Sequence, residues 1–504
     1  MILVEKTDNP NYLRVTAEKT VFNFLQLHFT VKDKKAFWSP LYRAKKWDGK
    51  IRFLRSDGTI LSGLLVEILR IAKINHWAVQ FEKELVLNQF KFERNEIELS
   101  LKGETLYPDQ IEALEKILKY NYGLAKLPTS QGKSYIEVAM LNLFRLKGLK
   151  NMILIVPRQS LVEQIFEDLV LKSPFIKPEE CGRLYGERKE WDRPVIVATW
   201  QSLTTLLQLD KTYGKRFELL IQDEVHVASA SAKVVHEVIT SFAAKYKYGF
   251  SATVISRDSD KLEYFNSVSL FGPITASNTI KKLQADKRIS DAEIRVKLLS
   301  YPIQPEIKTY KEYEDFIRYN PKRREYIVEL VKEARLRMPK SNGLILIRNV
   351  DFAKEMTDML REIFGDSVHL IEGSIKIDDR IDIKNTIKEN ENQILVATTG
   401  TFGMGENIKN LHWLILLQAR KSEVEAIQQV GRLLRVFPGK TKAVIYDITD
   451  NLIVVREVEE EDEHGIKTIK TVRKNFGKRH LKKRIDVFQT YGLEVVGIEK
   501  VFLT

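Results

Sequence analysis

The feature that most constrains this chain is a series of short, unbroken apolar runs. Ile153-Leu154-Ile155-Val156, Val195-Ile196-Val197-Ala198 and Leu219-Leu220-Ile221 come first. Leu344-Ile345-Leu346-Ile347, Ile394-Leu395-Val396-Ala397, Leu414-Ile415-Leu416-Leu417 and Ala443-Val444-Ile445-Tyr446 follow. A strand that is apolar without alternation is buried on both faces, and the amphipathic stretches between the runs supply its covers. The pattern predicts parallel sheets flanked by helices, and its two groups predict two successive α/β lobes. The charge-rich stretch 277–340 joins them and starts the second lobe.

The flanks have a different texture. Residues 1–98 read as an α+β domain. Val21, Phe24, Leu25 and His28 have helical spacing, and 64–74 repeats that pattern. Between them, 50–54 and 59–61 read as a hairpin joined by Asp57-Gly58. Residues 451–504 hold an acidic run from Glu457 to Glu463, a His464-Gly465 turn and a basic stretch. They read as a hairpin and a helix in a small C-terminal domain, with Lys478, Arg479, Lys482, Lys483 and Arg484 on a solvated face. The expected domains are thus 1–98, 99–282, 283–450 and 451–504.

Composition narrows the function classes. Of 504 residues, 44% are hydrophobic and 30% charged, which excludes a largely disordered or fibrous chain. Lys and Arg number 81 against 68 Asp and Glu, a net charge of +13. Such a chain is attracted to polyanions, nucleic acid first and an anionic membrane surface second. The single cysteine, Cys181, excludes an intramolecular disulfide and a Cys-rich zinc site, and fits a reducing compartment. No stretch approaches the ~20 apolar residues of a membrane span. The start MILVEKTDNP lacks the layout of a secretory signal. The expected class is a soluble intracellular protein with no membrane association.

Residues suited to phosphate chemistry lie at the ends of the apolar runs. Residues 127–134 close on Gly132-Lys133-Ser134, the tail of a phosphate-binding loop. There Thr129 and Gly132 line the phosphates, Lys133 reaches the β and γ groups, and Ser134 binds Mg²⁺. Leu127 stands where the usual pattern has its first glycine, and the same tripeptide is also common as a plain loop before a helix. Further on, an apolar strand ends in Asp223-Glu224-Val225-His226. Asp223 can hold Mg²⁺, and Glu224 can orient and deprotonate water; the alternative is a solvated acidic loop. In the second lobe Arg432 and Arg435 share a helix face and suit a polyphosphate, or form an ordinary basic face. Their position in the other lobe implies an interlobe cleft.

Taken in order, GKS, DEVH, Ser251-Ala252-Thr253 and QQVGRLLR resemble the motor of helicase superfamily 2, of the DExH type. The resemblance covers about residues 100 to 450 and implies two tandem RecA-like parallel-sheet lobes, ATP and Mg²⁺ as ligands, and ATP hydrolysis. Tyr107-Pro108-Asp109-Gln110 is similar to the adenine-reading element, with Gln110 in the reading position and Tyr107 where arginine is usual. Segments containing Arg158, Thr199, Gln201, Gly373 and Thr398, and the segment 344–349, resemble the strand-contacting motifs. Gly405 and Asn407 take nucleotide-contacting positions, with Asn407 where aspartate is usual; Ser251, Thr253 and Gln428 take coupling positions, and His226 either couples the ATP site to the lobe interface or is a structural hydrogen-bonding histidine.

The segment 42–50, the overall length and the basic tail are similar to phage recombination helicases within that superfamily. That implies a DNA helicase working on branched double-stranded and single-stranded DNA and RNA–DNA hybrids. Branch migration of Holliday junctions, regression of stalled forks and R-loop unwinding are the implied reactions. It also implies a monomer in the cytoplasm of a bacterial host, with recombination or single-strand-binding proteins as partners. Lys45, Lys46, Trp47 and Lys50 either hold phosphates and stack an unpaired base, or form a hairpin with Trp47 in the small domain's core. Two rival functions remain open: an RNA helicase on the same motor, and an ATP-modulated annealing clamp.

Overall fold

The structure, a computed structural model, describes residues 1–128, 131–225, 232–253, 257, 260–402, 408–417, 430–461 and 467–503. The chain divides into two compact units, Met1–Asn278 and Thr279–Thr504. Among the described residues no helix is long and apolar enough to cross a membrane.

The first unit opens with β1 (Ile2–Lys6), β2 (Tyr12–Ala17), β3 (Thr30–Lys32), β4 (Lys50–Arg52), β5 (Thr59–Leu61) and β6 (Val79–Gln80). Helices Lys19–His28 and Leu65–Ile74 form where the periodicity predicts them. The sheet order is β5-β2-β1-β6, and β3 pairs with β4 apart from it. The expected hairpin over 50–61 does not form. Its turn does: Gly58 has φ 84°, and the Arg55 N–H reaches the Thr59 carbonyl at 2.9 Å. However, β4 joins β3 and β5 joins β2.

That core is shared with the lobe that follows. Phe29, Leu64, Leu65 and Ile68 lie in one apolar cluster with Phe265, Val268 and Phe271. At Gly63 an added Cβ would fall 2.2 Å from the Val268 carbonyl oxygen, so the backbones meet there directly. The seam also holds a buried lysine. Lys247 donates to Asn11 Oδ1 at 2.5 Å, and Asn11 in turn donates to the Thr240 and Phe242 carbonyls at 2.8 and 2.9 Å.

The first lobe contains β7 (Tyr122–Lys126), β8 (Met152–Val156), β9 (Cys181–Tyr185), β10 (Arg188–Lys189), β11 (Val195–Thr199), β12 (Leu219–Asp223), β13 (Tyr246–Ser251) and β14 (Ile274–Ser277). The order is β10-β9-β11-β8-β12-β13-β7-β14. All neighbours are parallel except β9 and β10. The apolar runs became β8, β11 and β12, buried at every residue. This order sets β13 between β12 and β7, so the segments after those three strands meet at one edge of the sheet.

The second unit contains β15 (Asp291–Ser300), β16 (Asn342–Ile347), β17 (Val368–Ile371), β18 (Ile394–Thr398), β19 (Leu411–Leu416) and β20 (Lys442–Asp450). It also holds the hairpin β21 (Val454–Glu461) with β22 (Lys467–Lys474), the helix Phe476–Thr490 and β23 (Glu494–Phe502). The main sheet runs β17-β18-β16-β19-β20-β15-β23. Whereas 451–504 reads from sequence as a domain of its own, its last strand pairs in parallel with β15. Its helix sends Leu481 and Phe488 into the cluster that holds Ile294 and Leu346. Arg484, expected on a solvated face, is buried. It donates to Asp447 on β20 at 2.7 and 2.8 Å and to Thr449 Oγ1 at 2.8 Å. Lys478, Arg479, Lys482 and Lys483 are exposed as expected.

Burial pulls the Lys247 ammonium down to about 7. The unfolded chain keeps that proton up to its ordinary range near 10.5, while the folded chain releases it from about 7 upward. Stability therefore rises with pH across that window, by about 1.4 kcal/mol per pH unit. Urea unfolding of the wild type and of Lys247→Met at several pH values should show the wild type gaining on the variant from pH 7 to 10. Parallel curves would contradict this account of the buried lysine.

Candidate functional site

β7 runs into the phosphate loop, and the helix Lys133–Leu146 starts directly after it. Gly132 caps that helix with φ 80°, a left-handed conformation that glycine adopts without strain. An added Cβ would lie 2.7 Å from Gln110 Nε2. Unpaired N–H groups at a helix N-terminus form a ready anion site. Gln110 is buried, and its Nε2 donates to the Gln131 carbonyl at 2.8 Å while its Oε1 accepts from the Tyr107 N–H at 2.9 Å. The glutamine to which the resemblance assigns base reading thus ties the phosphate loop to the start of the helix Pro108–Ile117. Ser134 is half-buried beside Lys133. Thr129 lies outside the described residues.

At the end of β12 Asp223 is buried, and its Oδ1 accepts the Glu224 N–H at 2.8 Å. Glu224 has φ 53°, uncommon for a side-chain-bearing residue. Lys133 Nζ donates to Glu224 Oε1 at 2.8 Å, with both side chains largely buried. Burial works against the Lys133 charge, but the Glu224 and Asp223 carboxylates outweigh it and hold its pKa above the ordinary lysine range. Glu137, one turn further along the helix, was not singled out from sequence. It is buried, and that burial, followed by the Asp223 charge, raises its carboxyl well above the usual range. The available signal was its i+4 spacing from Lys133 within an apolar stretch.

The Ser251-Ala252-Thr253 turn follows β13. Ser251 Oγ donates to the Thr253 carbonyl at 2.9 Å and accepts the Thr253 N–H at 3.2 Å. The Leu127 N–H donates to the Ser251 carbonyl at 2.9 Å, fastening this turn to the phosphate loop. Gln110, Gly132, Lys133, Ser134, Asp223, Glu224, Ser251 and Thr253 are therefore gathered at one sheet edge. The candidate strand contacts of the first lobe follow neighbouring strands. Thr199 ends β11 and lies 3.2 Å from Ser202 Oγ, Gln201 is exposed, and Arg158 opens the helix Gln159–Lys172. Trp47 is half-buried rather than enclosed in the core, and its Nε1–H donates to the Lys50 carbonyl at 2.9 Å. Lys45, Lys46 and Lys50 are exposed around it.

Arg432, Arg435, Thr398 and Gly373 belong to the second unit. Burial, then the charge of Arg432, pulls the Arg435 guanidinium below its ordinary range. Their segment is held from behind by Lys440, which sequence reading passed over. Its ammonium donates to the Leu433 carbonyl and, at 3.1 Å, to the Arg435 carbonyl. Thr398 Oγ1 donates to Thr401 Oγ1 at 2.8 Å, and Gly373 is exposed with open space where a Cβ would stand. His226, Gly405, Asn407 and Gln428 lie outside the described residues.

The donor set suits the implied ligands. Ser134 and Asp223 offer hard oxygens, and magnesium commonly takes one or two such protein ligands together with substrate phosphates. Among the described residues no cluster of three or more His, Cys, Asp or Glu could hold a metal alone. Lys133 and the Gly132 turn suit the phosphates. For the second unit, Lys440→Ala should cost about 1–3 kcal/mol by stranding two carbonyls. The measurement is the urea midpoint of the second unit, and an unchanged midpoint would remove Lys440 from the architecture of the arginine segment.

Comparison with known proteins agrees with this layout. Residues 104–256 match the family model of the type III restriction enzyme res subunit, and 322–437 match the helicase conserved C-terminal domain. The ATP-dependent DNA helicase uvsW of Enterobacteria phage T4 is 27% identical over 459 residues, spanning 88% of this chain and 89% of that protein. The DNA 3'-5' helicase XPB of Kineococcus radiotolerans is 28% identical over 214 residues, 41% of this chain and 36% of that one. Two solved structures share the fold. Mss116p bound to ssRNA and AMP-PNP aligns with a TM-score of 0.55 at 14% identity, over 87% of this chain and 78% of its own. A type I restriction enzyme HsdR-subunit fragment from Vibrio vulnificus YJ016 gives 0.55 at 13%, over 86% and 73%. With both helicase domains in series and a relative matched along most of its length, the chain belongs to helicase superfamily 2.

Proposed function

We propose that this chain is an ATP-dependent DNA helicase that remodels branched DNA. The observation that carries the reading is the Lys133–Glu224 pair beside Asp223 at the N-terminus of the phosphate-loop helix. In this reading the ATP phosphates lie against the Gly132 turn and Lys133, with Thr129 beside them. Ser134 and Asp223 hold magnesium, which offsets the charge of the β and γ oxygens. Phosphate takes Lys133 from Glu224, and the released carboxylate orients and deprotonates the attacking water. Arg432 and Arg435 supply guanidinia to the polyphosphate, Gln110 reads the base, and Gly405 and Asn407 contact the nucleotide. Loss of the γ-phosphate removes the contacts that favour the nucleotide-bound arrangement, so hydrolysis alternates the grip on nucleic acid.

Arg158, Thr199, Gln201, Gly373 and Thr398 serve as backbone contacts, which position the strand and read no sequence. Ser251, Thr253, His226 and Gln428 couple the two events. The choice of branched DNA rests on energy as well as on the phage relative. Opening a duplex costs about 1.4 kcal/mol of stacking per base-pair step, whereas branch migration or RNA displacement re-forms about as many pairs as it breaks. Such a motor mainly supplies direction.

The test is steady-state ATP hydrolysis at fixed salt with single strands, plain duplex, three- and four-way DNA junctions, R-loops and RNA duplexes. Branched DNA is expected to stimulate most; stimulation by RNA alone would overturn the choice of DNA. Glu224→Gln should lower hydrolysis by about 10²–10⁴-fold while nucleotide and DNA binding persist. Unwinding by that variant at the wild-type rate would remove Glu224 from its role.

A further inference from the structure

The loop between β3 and β4 presents aromatic side chains to solvent. Phe37 is 65% exposed, Trp38 76% and Leu41 57%. The Phe37 and Trp38 rings meet edge to face, 5.6 Å apart. A contiguous exposed apolar patch of this kind marks a contact surface. The loop beneath it is fully formed. The Asp33 N–H donates to the Gly49 carbonyl at 2.8 Å, Trp38 to Lys35 at 3.0 Å, Arg43 to Ser39 at 3.1 Å and Lys46 to Leu41 at 2.9 Å. Gly49 closes it with φ 73°, where a Cβ would sit 2.9 Å from the Tyr42 ring. Trp47, through its bond to Lys50, pins the base of the loop. The rings are thus held out by a structured support, so little freedom is lost when they engage a partner.

The surroundings say what partner fits. Lys35, Arg43, Lys45, Lys46 and Lys50 are all exposed around the rings. The loop's acids are engaged locally: Asp48 with Arg52 and the Lys50 N–H, and Asp33 with the Lys35 N–H. Cations around flat rings complement a polyanion that also offers flat apolar faces, which is a nucleic acid with unpaired bases. A membrane surface is the poorer match, because the helical pieces here, Ala36–Trp38 and Pro40–Arg43, are too short to lie as an amphipathic helix in a lipid interface.

We propose that Phe37 and Trp38 form a base-stacking wedge that engages the unpaired bases at a DNA branch point while the surrounding lysines hold the flanking phosphates. Within a continuous duplex both faces of every base pair are covered by stacking. The rings therefore find an open face only where the stack ends or is pried apart. The loop favours junctions and forks over linear duplex for that reason. This inference rests on the DNA-remodelling reading above.

The experiment uses the full chain and a three-way DNA junction carrying 2-aminopurine at the branch. The double variant Phe37→Ala, Trp38→Ala changes only exposed side chains. It is expected to weaken junction binding about tenfold or more and to abolish the fluorescence change at the branch. Linear-duplex affinity and ATP hydrolysis stimulated by single strands should stay as in the wild type, and Trp38→Phe should restore most junction affinity. Unaltered junction binding by the double variant would overturn the wedge, as would an equal loss on junction and linear duplex. Loss of binding to anionic phospholipid vesicles with junction binding intact would also overturn it, in favour of a membrane contact. A wild type that ignores branched DNA altogether would bring down the parent reading as well, which separates the two failures.

Discussion

A parallel sheet covered on both faces makes charge costly along its strands and cheap where they end. β8, β11 and β12 are buried along their whole length, and each hands over to a polar segment at its carboxyl end. Helix N-termini face the same edge, because each crossover returns the chain to start the next strand at the far side. The positions of Lys133, Asp223 and Ser251 follow from strand order, since β13 separates β7 from β12. The second sheet obeys the same rule, with Thr398 closing β18. Nothing in the interior of either sheet had to be given up to make this chemistry.

The two units carry opposite imbalances of charge. In the first, Lys133 lies among Glu224, Asp223 and Glu137, whose carboxylates hold its proton while burial and the Asp223 charge hold a proton on Glu137. In the second, Arg432, Arg435 and Lys440 crowd one another, and burial weakens the hold of Lys440 on its proton, bringing its pKa to about 7.

Much of this was legible because buried parallel strands write themselves as unbroken apolar runs, and every run noted in the sequence became a strand. β15 and β23 escaped notice for the opposite reason. Glu293, Arg295 and Lys297 interrupt β15; Arg295 pairs with Glu293 on the same strand, and folding adds Lys442 for Glu293 at 2.5 Å and Glu499 for Lys297 at 2.6 Å. Arg484 failed in the same way, since its partner Asp447 sits on another element. The Asp57-Gly58 turn was read correctly, but the partners of its two strands are not local. Among the aromatics of the N-terminal segment, sequence alone drew attention to Trp47, flanked by lysines. Only packing separates the ring that braces the loop from those that stand clear of it. Most of the candidate site stood out as short local patterns, whereas Glu137 left only its spacing from Lys133 and Lys440 left none.

Under the proposed function the Lys133–Glu224 pair has a thermodynamic consequence. An ammonium in water must shed its hydration before a phosphate can grip it, but Lys133 is already dry and already neutralised. When a nucleotide arrives, one anion replaces another around the same cation, so most of the dehydration cost of that lysine is met as the chain folds. Glu224 meanwhile loses the ammonium that kept it ionised at little cost, and a carboxylate deprived of its counter-charge holds a proton more strongly. In that reading the arriving substrate frees the carboxylate that works on water, and the chain keeps that group occupied while it has nothing to hydrolyse.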